Sequence, residues 1–193
     1  MALLLALLIP LIIIVVLAVI ILLVWAGFYN RFVVLSNRIK NSFSQIDVQL
    51  KKRADLVPNL VETVKGYAKH EAKIMKEVSD ARSMLVNANT SGKMDARIKA
   101  GDALQGALGR LFAIAENYPN LKANENFLQL QTELSSIEDK IAYARQAYND
   151  SIMGFDNAVQ TFPGNIFAGK FKSQAGQYIK IPEAERAPVK VTF

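Results

Sequence analysis

The residues of this sequence that could do chemistry are few and stand apart from one another. The chain has no cysteine and one histidine, His70, so a thiolate metal site is excluded and a zinc site lacks the companion ligands that it needs. The carboxylates Glu138-Asp139, Glu183 and Glu185 lie in polar stretches, and adjacent positions of a helix do not converge on one point. We therefore predict that these acids are solvated and that the chain has no catalytic residues, no metal site and no cofactor.

Two further motifs resemble a phosphate-binding loop and a nucleic-acid-binding run, but neither has the accompanying features that such a site needs. Residues 164–171, GNIFAGKF, match the phosphate-binding loop G-x-x-x-x-G-K-[ST] at every position except the last. That loop follows a strand and binds magnesium through the hydroxyl of its last residue. Here Phe171 replaces the hydroxyl and a helical pattern precedes the loop, so we interpret the match as coincidental. The basic run Lys51-Lys52-Arg53 has no accompanying recognition motif, and we predict solvent or anionic lipid rather than nucleic acid as its partner.

The most distinctive polar cluster surrounds a proline. Arg53, Asp55 and Asn59 flank Pro58, and a proline inside a helix frees the carbonyl four residues earlier and kinks the helix. We predict that the flanking side chains belong to a buried hydrogen-bond network that satisfies the freed carbonyls; a recognition surface is the alternative. The expected partners lie on the last long helix: Arg145, Tyr148 and Asn149.

The first 28 residues must position everything that follows, because they contain no charged residue. About 20 apolar residues suffice for a helix to span a bilayer. A cleaved signal peptide would begin with positive charge and have a shorter apolar core, so we predict an uncleaved anchor. The residues expected at its interface with the lipid headgroups are aromatic or basic: Trp25, Phe28, Tyr29 and Arg31.

Positive charge after this segment predicts its orientation. Arg31, Arg38, Lys40 and the run 51–53 follow the anchor, and Asp47 is the one acid before residue 54. Basic residues accumulate on the cytoplasmic side of a membrane helix. We therefore predict a single-pass protein of the cytoplasmic membrane whose N-terminus lies outside and whose soluble domain lies in the cytoplasm.

Beyond the anchor, apolar residues spaced by three and four predict an all-α fold. The first stripe, over residues 30–88, is expected to continue the membrane helix and to kink near Pro58; alternatively, a new helix starts there with Asp55 as its N-cap. A second helix is predicted from Met94 to about Asn117, and a third, coiled-coil-like one over residues 127–162. Three stripes joined by short turns predict an antiparallel up-down bundle. The second contains glycines that indicate a close approach of two helices: Gly101, Gly106 and Gly109.

These patterns divide the chain into an anchor (1–28), a helical bundle (29–163) and an irregular, extended tail (164–193). The tail is aromatic and basic. Its last five residues alternate like a strand, which would need a partner such as another subunit. Four aromatic residues are expected either to hold the tail on the bundle or to lie on lipid headgroups: Phe167, Phe171, Tyr178 and Phe193.

The run from Ile46 to Glu71, IDVQLKKRADLVPNLVETVKGYAKHE, resembles the core signature of the LemA family. The resemblance covers residues 29–180, and Lys52 departs from it where the family often has arginine. Four shorter runs also match: Tyr29-Asn30, Tyr118 to Leu121, Ala144 to Asn149, and Phe162 to Asn165.

The resemblance implies a membrane helix followed by a cytoplasm-facing helical bundle in a bacterial membrane, with no catalytic residues to carry over. Relatives in that family include proteins of magnetosome membranes, and its members are often encoded near membrane metalloproteases. We therefore expect a non-enzymatic, self-associating scaffold that organises or remodels the bilayer. The alternative is an adaptor that presents partners or substrates to another membrane protein, such as a membrane metalloprotease.

Overall fold

A computed structural model describes residues 2–68, 70–174 and 176–180. Over these ranges the fold is all-α without a strand, as the apolar spacing predicts. The expected strand-like end, with Glu183, Glu185 and Phe193, lies outside the described residues. The elements are α1 (Ala2–Tyr67), α2 (Ala72–Ser91), α3 (Met94–Ala115), α4 (Pro119–Lys122), α5 (Glu125–Gln160), α6 (Gly164–Phe167) and the 3-10 helix η1 (Gly169–Gln174).

Helix α1 is continuous over 66 residues, from the apolar segment into the soluble part. This confirms the predicted absence of a joint after the anchor. Asp55 and Pro58 both lie inside α1, so the alternative of a fresh helix with Asp55 as its N-cap is wrong. The kink at Pro58 stays a prediction.

The stripe expected to form one helix over residues 30–88 forms two. Helix α1 ends at Tyr67 and α2 begins at Ala72, with the N–H of Glu71 donating to the carbonyl of Ala68 at 3.1 Å in the turn. The break is hidden in the sequence because buried residues continue at helical spacing on both sides of it, through Ala68 and Met75. The bundle therefore has one long helix more than the three predicted.

Residues 43–146 belong to the larger of two compact units, to which the chain from residue 179 onward is also assigned. The contacts within residues 43–146 give the direction of each helix. Asp47 of α1 pairs with Arg97 of α3. Three residues further on, Leu50 meets Gly101, so these two helices run parallel. Helix α2, joined to each of them by a turn of two to four residues, runs the other way, as short connections require.

Helix α5 closes the bundle antiparallel to α1. Arg53 pairs with Glu138, while further along α1 the hydroxyl of Tyr67 accepts a hydrogen bond from the Asn124 amide at 3.0 Å, just before α5 begins. The order is thus up-down-up-down for α1, α2, α3 and α5. The fully buried aliphatic side chains of these helices include Ile46, Leu50, Leu60, Leu85, Leu104, Leu111 and Ile141.

The smaller unit, residues 1–42 and 147–178, contains the first part of α1, the end of α5, and α6 with η1. The hydroxyls of Ser42 and Ser151 lie 2.9 Å apart between α1 and α5. Residues 164–167 and 169–174 are helical rather than extended, which corrects the prediction for the start of the tail. Phe162, expected on the inner stripe of the last long helix, is 80% exposed because α5 ends at Gln160.

Three glycines are expected where two helices approach closely, and one of them, Gly101, lies against a neighbouring helix. A Cβ built on Gly101 would lie 2.7 Å from Cδ2 of the fully buried Leu50. A Cβ on Gly106 would meet only Arg110 of the same helix, and one on Gly109 would meet nothing within 4 Å. The close approach of α1 and α3 therefore depends on Gly101.

We expect Gly101→Val to lower the free energy of unfolding by about 1–3 kcal/mol, because the added carbons overpack a buried contact. The matched control is Gly109→Val in the same helix, where the added carbons meet open space and the free energy should change by less than about 0.5 kcal/mol. Urea unfolding of both variants in the same detergent, followed by circular dichroism, measures the difference. Equal effects of the two substitutions would contradict the close approach.

Candidate membrane interface and buried charge network

The apolar part of α1 offers lipid-compatible surface on all its sides. Every residue from Leu8 to Val24 is exposed in the structure, and its aliphatic side chains find no cover among the described residues. Of the described helices, this is the one long and apolar enough to cross a membrane. A helix that is apolar all round needs an apolar environment, and a bilayer provides one.

Immediately after this stretch, α1 is held by the start of the C-terminal segment. We call Phe28, Tyr29, Phe32, Phe167 and Phe171 the aromatic collar. The rings of Phe28 and Phe167 stack with centroids 5.2 Å apart. The ring of Phe171 meets Tyr29 edge-on at 5.5 Å and Phe32 at 5.4 Å. Aromatic pairs at these distances stabilise beyond their buried area, so the collar fixes α6 and η1 on α1.

Of the four residues expected at the headgroup boundary, two are exposed and two pack in the collar. Trp25 stacks on Tyr29 at 5.6 Å and remains half exposed, and Arg31 is exposed. Phe28 and Tyr29 are half-buried in the collar, so they contribute to folding as well. For the tail, Phe171 is buried and Phe167 stacks in the collar, which favours packing on the protein over lying on lipid.

The larger unit carries a buried charge network between α1, α3 and α5, formed by Arg53, Glu138, Asp102 and Arg145. Arg53 is 1% exposed, and its guanidinium donates to the Glu138 carboxylate. Arg145 donates to Asp102. Glu138 is half-buried, so the prediction that it is solvated is wrong. The members of the basic run 51–53 differ in exposure, since Lys51 and Lys52 are exposed while Arg53 is buried.

The burial of Arg53 changes its electrostatics. Burial, and then the positive charge of Arg145, lower the pKa of Arg53 to about 10, while Asp102 acts in the opposite direction. Between that pKa and the ordinary one the unfolded chain binds the proton more tightly, so stability rises as the pH rises through this window. At neutral pH the full cost is present. The carboxylate partner offsets part of this desolvation penalty, and replacing both members of a buried ion pair by apolar residues is often neutral or stabilising.

The carbonyl freed by Pro58 has a partner, but not one of those predicted. Nε of Arg82, on α2, donates to the Ala54 carbonyl at 2.8 Å, and this is the acceptor that a residue with an N–H at position 58 would use. Asp55 is exposed and pairs with Lys51 at 2.8 Å, and Asn59 is exposed.

Among the predicted partners on α5, Arg145 joins the charge network, Tyr148 is fully buried and Asn149 is half-buried. Sequence reasoning missed Arg82. The signal was its position, four residues after buried Val78 and three before buried Leu85, on the inner stripe of a helix.

The remaining motifs give no sign of catalysis. The GNIFAGKF run follows a helix, and its Phe171 is buried in the collar, in agreement with a coincidental match. His70 is exposed in the turn between α1 and α2. Within the described ranges no group of three or more His, Cys, Asp or Glu side chains could hold a metal ion.

We expect Arg82→Gln to lower the free energy of unfolding by about 1–3 kcal/mol, because the Ala54 carbonyl loses its donor. In a Pro58→Ala background the cost should shrink, since the backbone N–H is restored. Arg110→Gln, which removes an exposed pair with Glu77, is the control and should cost about 0–1 kcal/mol in both backgrounds. Chemical unfolding of the four-variant cycle measures this coupling. Equal costs of Arg82→Gln in both backgrounds would exclude it.

For the charge network, Glu138→Gln should lower the free energy of unfolding by roughly 2–3 kcal/mol, because it leaves the Arg53 charge poorly compensated; the partial exposure of Glu138 moderates the effect. Arg53→Met with Glu138→Leu should return to within about 1 kcal/mol of the unsubstituted chain. Asp80→Asn, in an exposed pair with Lys76, is the control. A double variant less stable than Glu138→Gln alone would show that the pair itself stabilises the bundle.

Known proteins resemble this chain over most of its length. Protein LemA of Metamycoplasma hominis is 29% identical over 167 residues, which cover 86% of this chain and 75% of that protein. Magnetosome protein MamQ 2 of Paramagnetospirillum magneticum is 28% identical over 184 residues, covering 83% and 68%. Magnetosome protein MamQ of Magnetospirillum gryphiswaldense is 29% identical over 163 residues, covering 72% and 60%.

The sequence profile described as "LemA family" matches residues 42–193. Neither this description nor the names of the relatives state an enzymatic activity. Together with the apolar helix, the relationship indicates a membrane-associated protein. A match that extends over so much of the sequence shows that this chain belongs to the LemA family.

Proposed function

We propose that this protein is a membrane-anchored, non-enzymatic scaffold that self-associates and organises or remodels the bilayer. The observation that carries the proposal is the uninterrupted helix α1. Its exposed apolar stretch continues without a break into the part of the same helix that packs in the bundle. In the proposed topology the N-terminus lies outside the cytoplasmic membrane of a bacterium and the bundle lies in the cytoplasm, because Arg31, Arg38 and Lys40 follow the apolar stretch.

Two features support a role in binding rather than catalysis. The charged side chains of the described core are engaged in pairs that join one helix to another. The surface of the bundle also retains large apolar side chains, among them Val48, Leu128 and Tyr143, the last of which is 75% exposed. Contacts between copies of the chain would cover such residues, as apolar surface in contact with water is unfavourable.

The second candidate function is an adaptor for another membrane protein. The feature that favours it is an open groove of 610 Å³ between α2 and α3. Its rim carries Lys73, Lys76, Glu77 and Asp80, and Met84 in its lining is 58% exposed. Exposed methionine adapts its shape to different apolar partners.

The absence of cysteine from the sequence makes one engineered thiol a unique label. We expect Lys52→Cys, at an exposed position of α1, to remain with membranes after alkaline carbonate extraction. A membrane-impermeant maleimide should label it in inverted membrane vesicles and in lysed cells but not in intact spheroplasts. Recovery of the protein in the carbonate supernatant would contradict the anchor, and labelling in intact spheroplasts would contradict the orientation.

The same variant distinguishes the scaffold from the adaptor. A bifunctional maleimide–photoreactive reagent attached at Lys52→Cys should give covalent pairs of this chain in native membranes, as should parallel variants at the exposed positions Asn59 and Glu62. Products that contain other membrane proteins, with no pairs of this chain at any of the three positions, would favour the adaptor and overturn the scaffold. Products of this chain alone would discard the adaptor.

A further inference from the structure

The end of α5 and the helices after it lie at the level where α1 leaves its apolar stretch. A Cβ built on Gly164 would lie 3.7 Å from Cε1 of Phe28, and Phe28 comes four residues after Val24, the last residue of that stretch. Four residues of helix extend about 6 Å. If the apolar stretch is in the hydrocarbon, Gly164 and its neighbours are therefore at the depth of the lipid headgroups.

Two large apolar side chains at this level are left uncovered by the described residues of the smaller unit. Phe162 is 80% exposed and Ile166 is 66% exposed, on either side of the buried Gly164. Their neighbours Phe167 and Phe171 are used in the collar. The segment thus has an inner side that packs on α1 and an outer side that is apolar and exposed.

Positive charge accompanies this apolar surface. Lys170 and Lys172 are exposed on η1, and Arg31 is exposed on α1 close to the collar. The Lys170 ammonium lies 5.5 Å from the ring centroid of Tyr29, which places it beside the collar. Lysine and arginine next to inserted apolar side chains are typical of segments that lie in the headgroup region, where anionic lipids attract them.

We propose that residues 162–172 form a second membrane contact, in which Phe162 and Ile166 enter the boundary between headgroups and acyl chains while Lys170 and Lys172 bind anionic headgroups. The inference rests on the proposed anchoring by α1 and adds a site to it. The occupant is the bilayer, because the exposed Phe162 and Ile166 flank Gly164, which lies against Phe28 of the one described helix that is long and apolar enough to span a membrane.

Tryptophan fluorescence tests the depth of the segment, since the sequence has a single tryptophan, Trp25. The full-length chain is reconstituted into vesicles whose phosphatidylcholine is brominated along the acyl chains, which quenches tryptophan on contact. In a Trp25→Phe background, Phe162→Trp reports on the segment. Met153→Trp in the same background is the matched control, because Met153 is also exposed in the smaller unit but lies seven residues before the end of α5, a distance of about 10 Å along that helix.

We expect quenching of the Phe162→Trp variant to be within about twofold of that of Trp25 in the unsubstituted chain, with little quenching of the Met153→Trp variant. Equal quenching of the Phe162→Trp and Met153→Trp variants, with Trp25 strongly quenched, would overturn the second contact and leave the anchor in place. An unquenched Trp25 would instead overturn the anchor, and the proposed function with it.

The charge of the bilayer tests the second half of the proposal. Adding phosphatidylglycerol to the vesicles should increase the quenching of the Phe162→Trp variant, and Lys170→Gln with Lys172→Gln should abolish that increase. The matched control is Lys73→Gln with Lys76→Gln, two exposed lysines of α2 outside the segment, which should leave the increase unchanged. Quenching that is the same with and without anionic lipid would overturn the headgroup site.

Discussion

A hydrogen bond from α2 allows α1 to continue through Pro58. The Ala54 carbonyl is buried with its residue, and a buried carbonyl without a donor costs about 1–3 kcal/mol. Arg82 supplies that donor from outside the helix. The continuity of α1 from its apolar stretch to Tyr67 thus depends on a side chain that the chain brings back only after the turn at residues 68–71. The hydrogen bonding of α1 around Pro58 is therefore complete only when α2 is packed against it.

The charge network adds specificity to this arrangement. Apolar stripes alone would allow a helix to slide or exchange neighbours, because leucine and valine contacts are similar at every turn. Arg53 can be buried only where a carboxylate meets it, and Glu138 provides one on α5. Asp102 and Arg145 make a second requirement between α3 and α5. Buried ion pairs select partners in this way in some other proteins, and burial is the first cause that lowers the pKa of Arg53.

The class of the fold could be predicted from the sequence, but its count of helices and its polar contacts could not. Three-four spacing marks a buried face without marking a reversal, so the turn after Tyr67 was hidden by Ala68 and Met75, which are buried on both sides of it. The proline cluster directed attention to its neighbours in sequence, Asp55 and Asn59, which are exposed. The residues that matter are charged positions on apolar stripes. Arg53 lies between buried Leu50 and Val57, and Glu138 lies between buried Leu134 and Ile141. That signal is present in the sequence, although the identity of each partner needs the packed structure.

The aromatic collar shows how a membrane boundary and a protein core share residues. Aromatic side chains after an apolar helix ordinarily face the headgroups, and Phe28 and Tyr29 are placed for that role by sequence. The structure uses both of them to hold Phe167 and Phe171, so they have less surface left for lipid. The apolar side chains that remain exposed at this level are Trp25 on α1 and Phe162 and Ile166 beyond α5, which belong to two segments distant in sequence. In the structure the collar joins these two segments through the stacked rings of Phe28 and Phe167 and the edge-on contact of Tyr29 with Phe171. A position just after an apolar helix is therefore not enough to assign an aromatic residue to the lipid boundary.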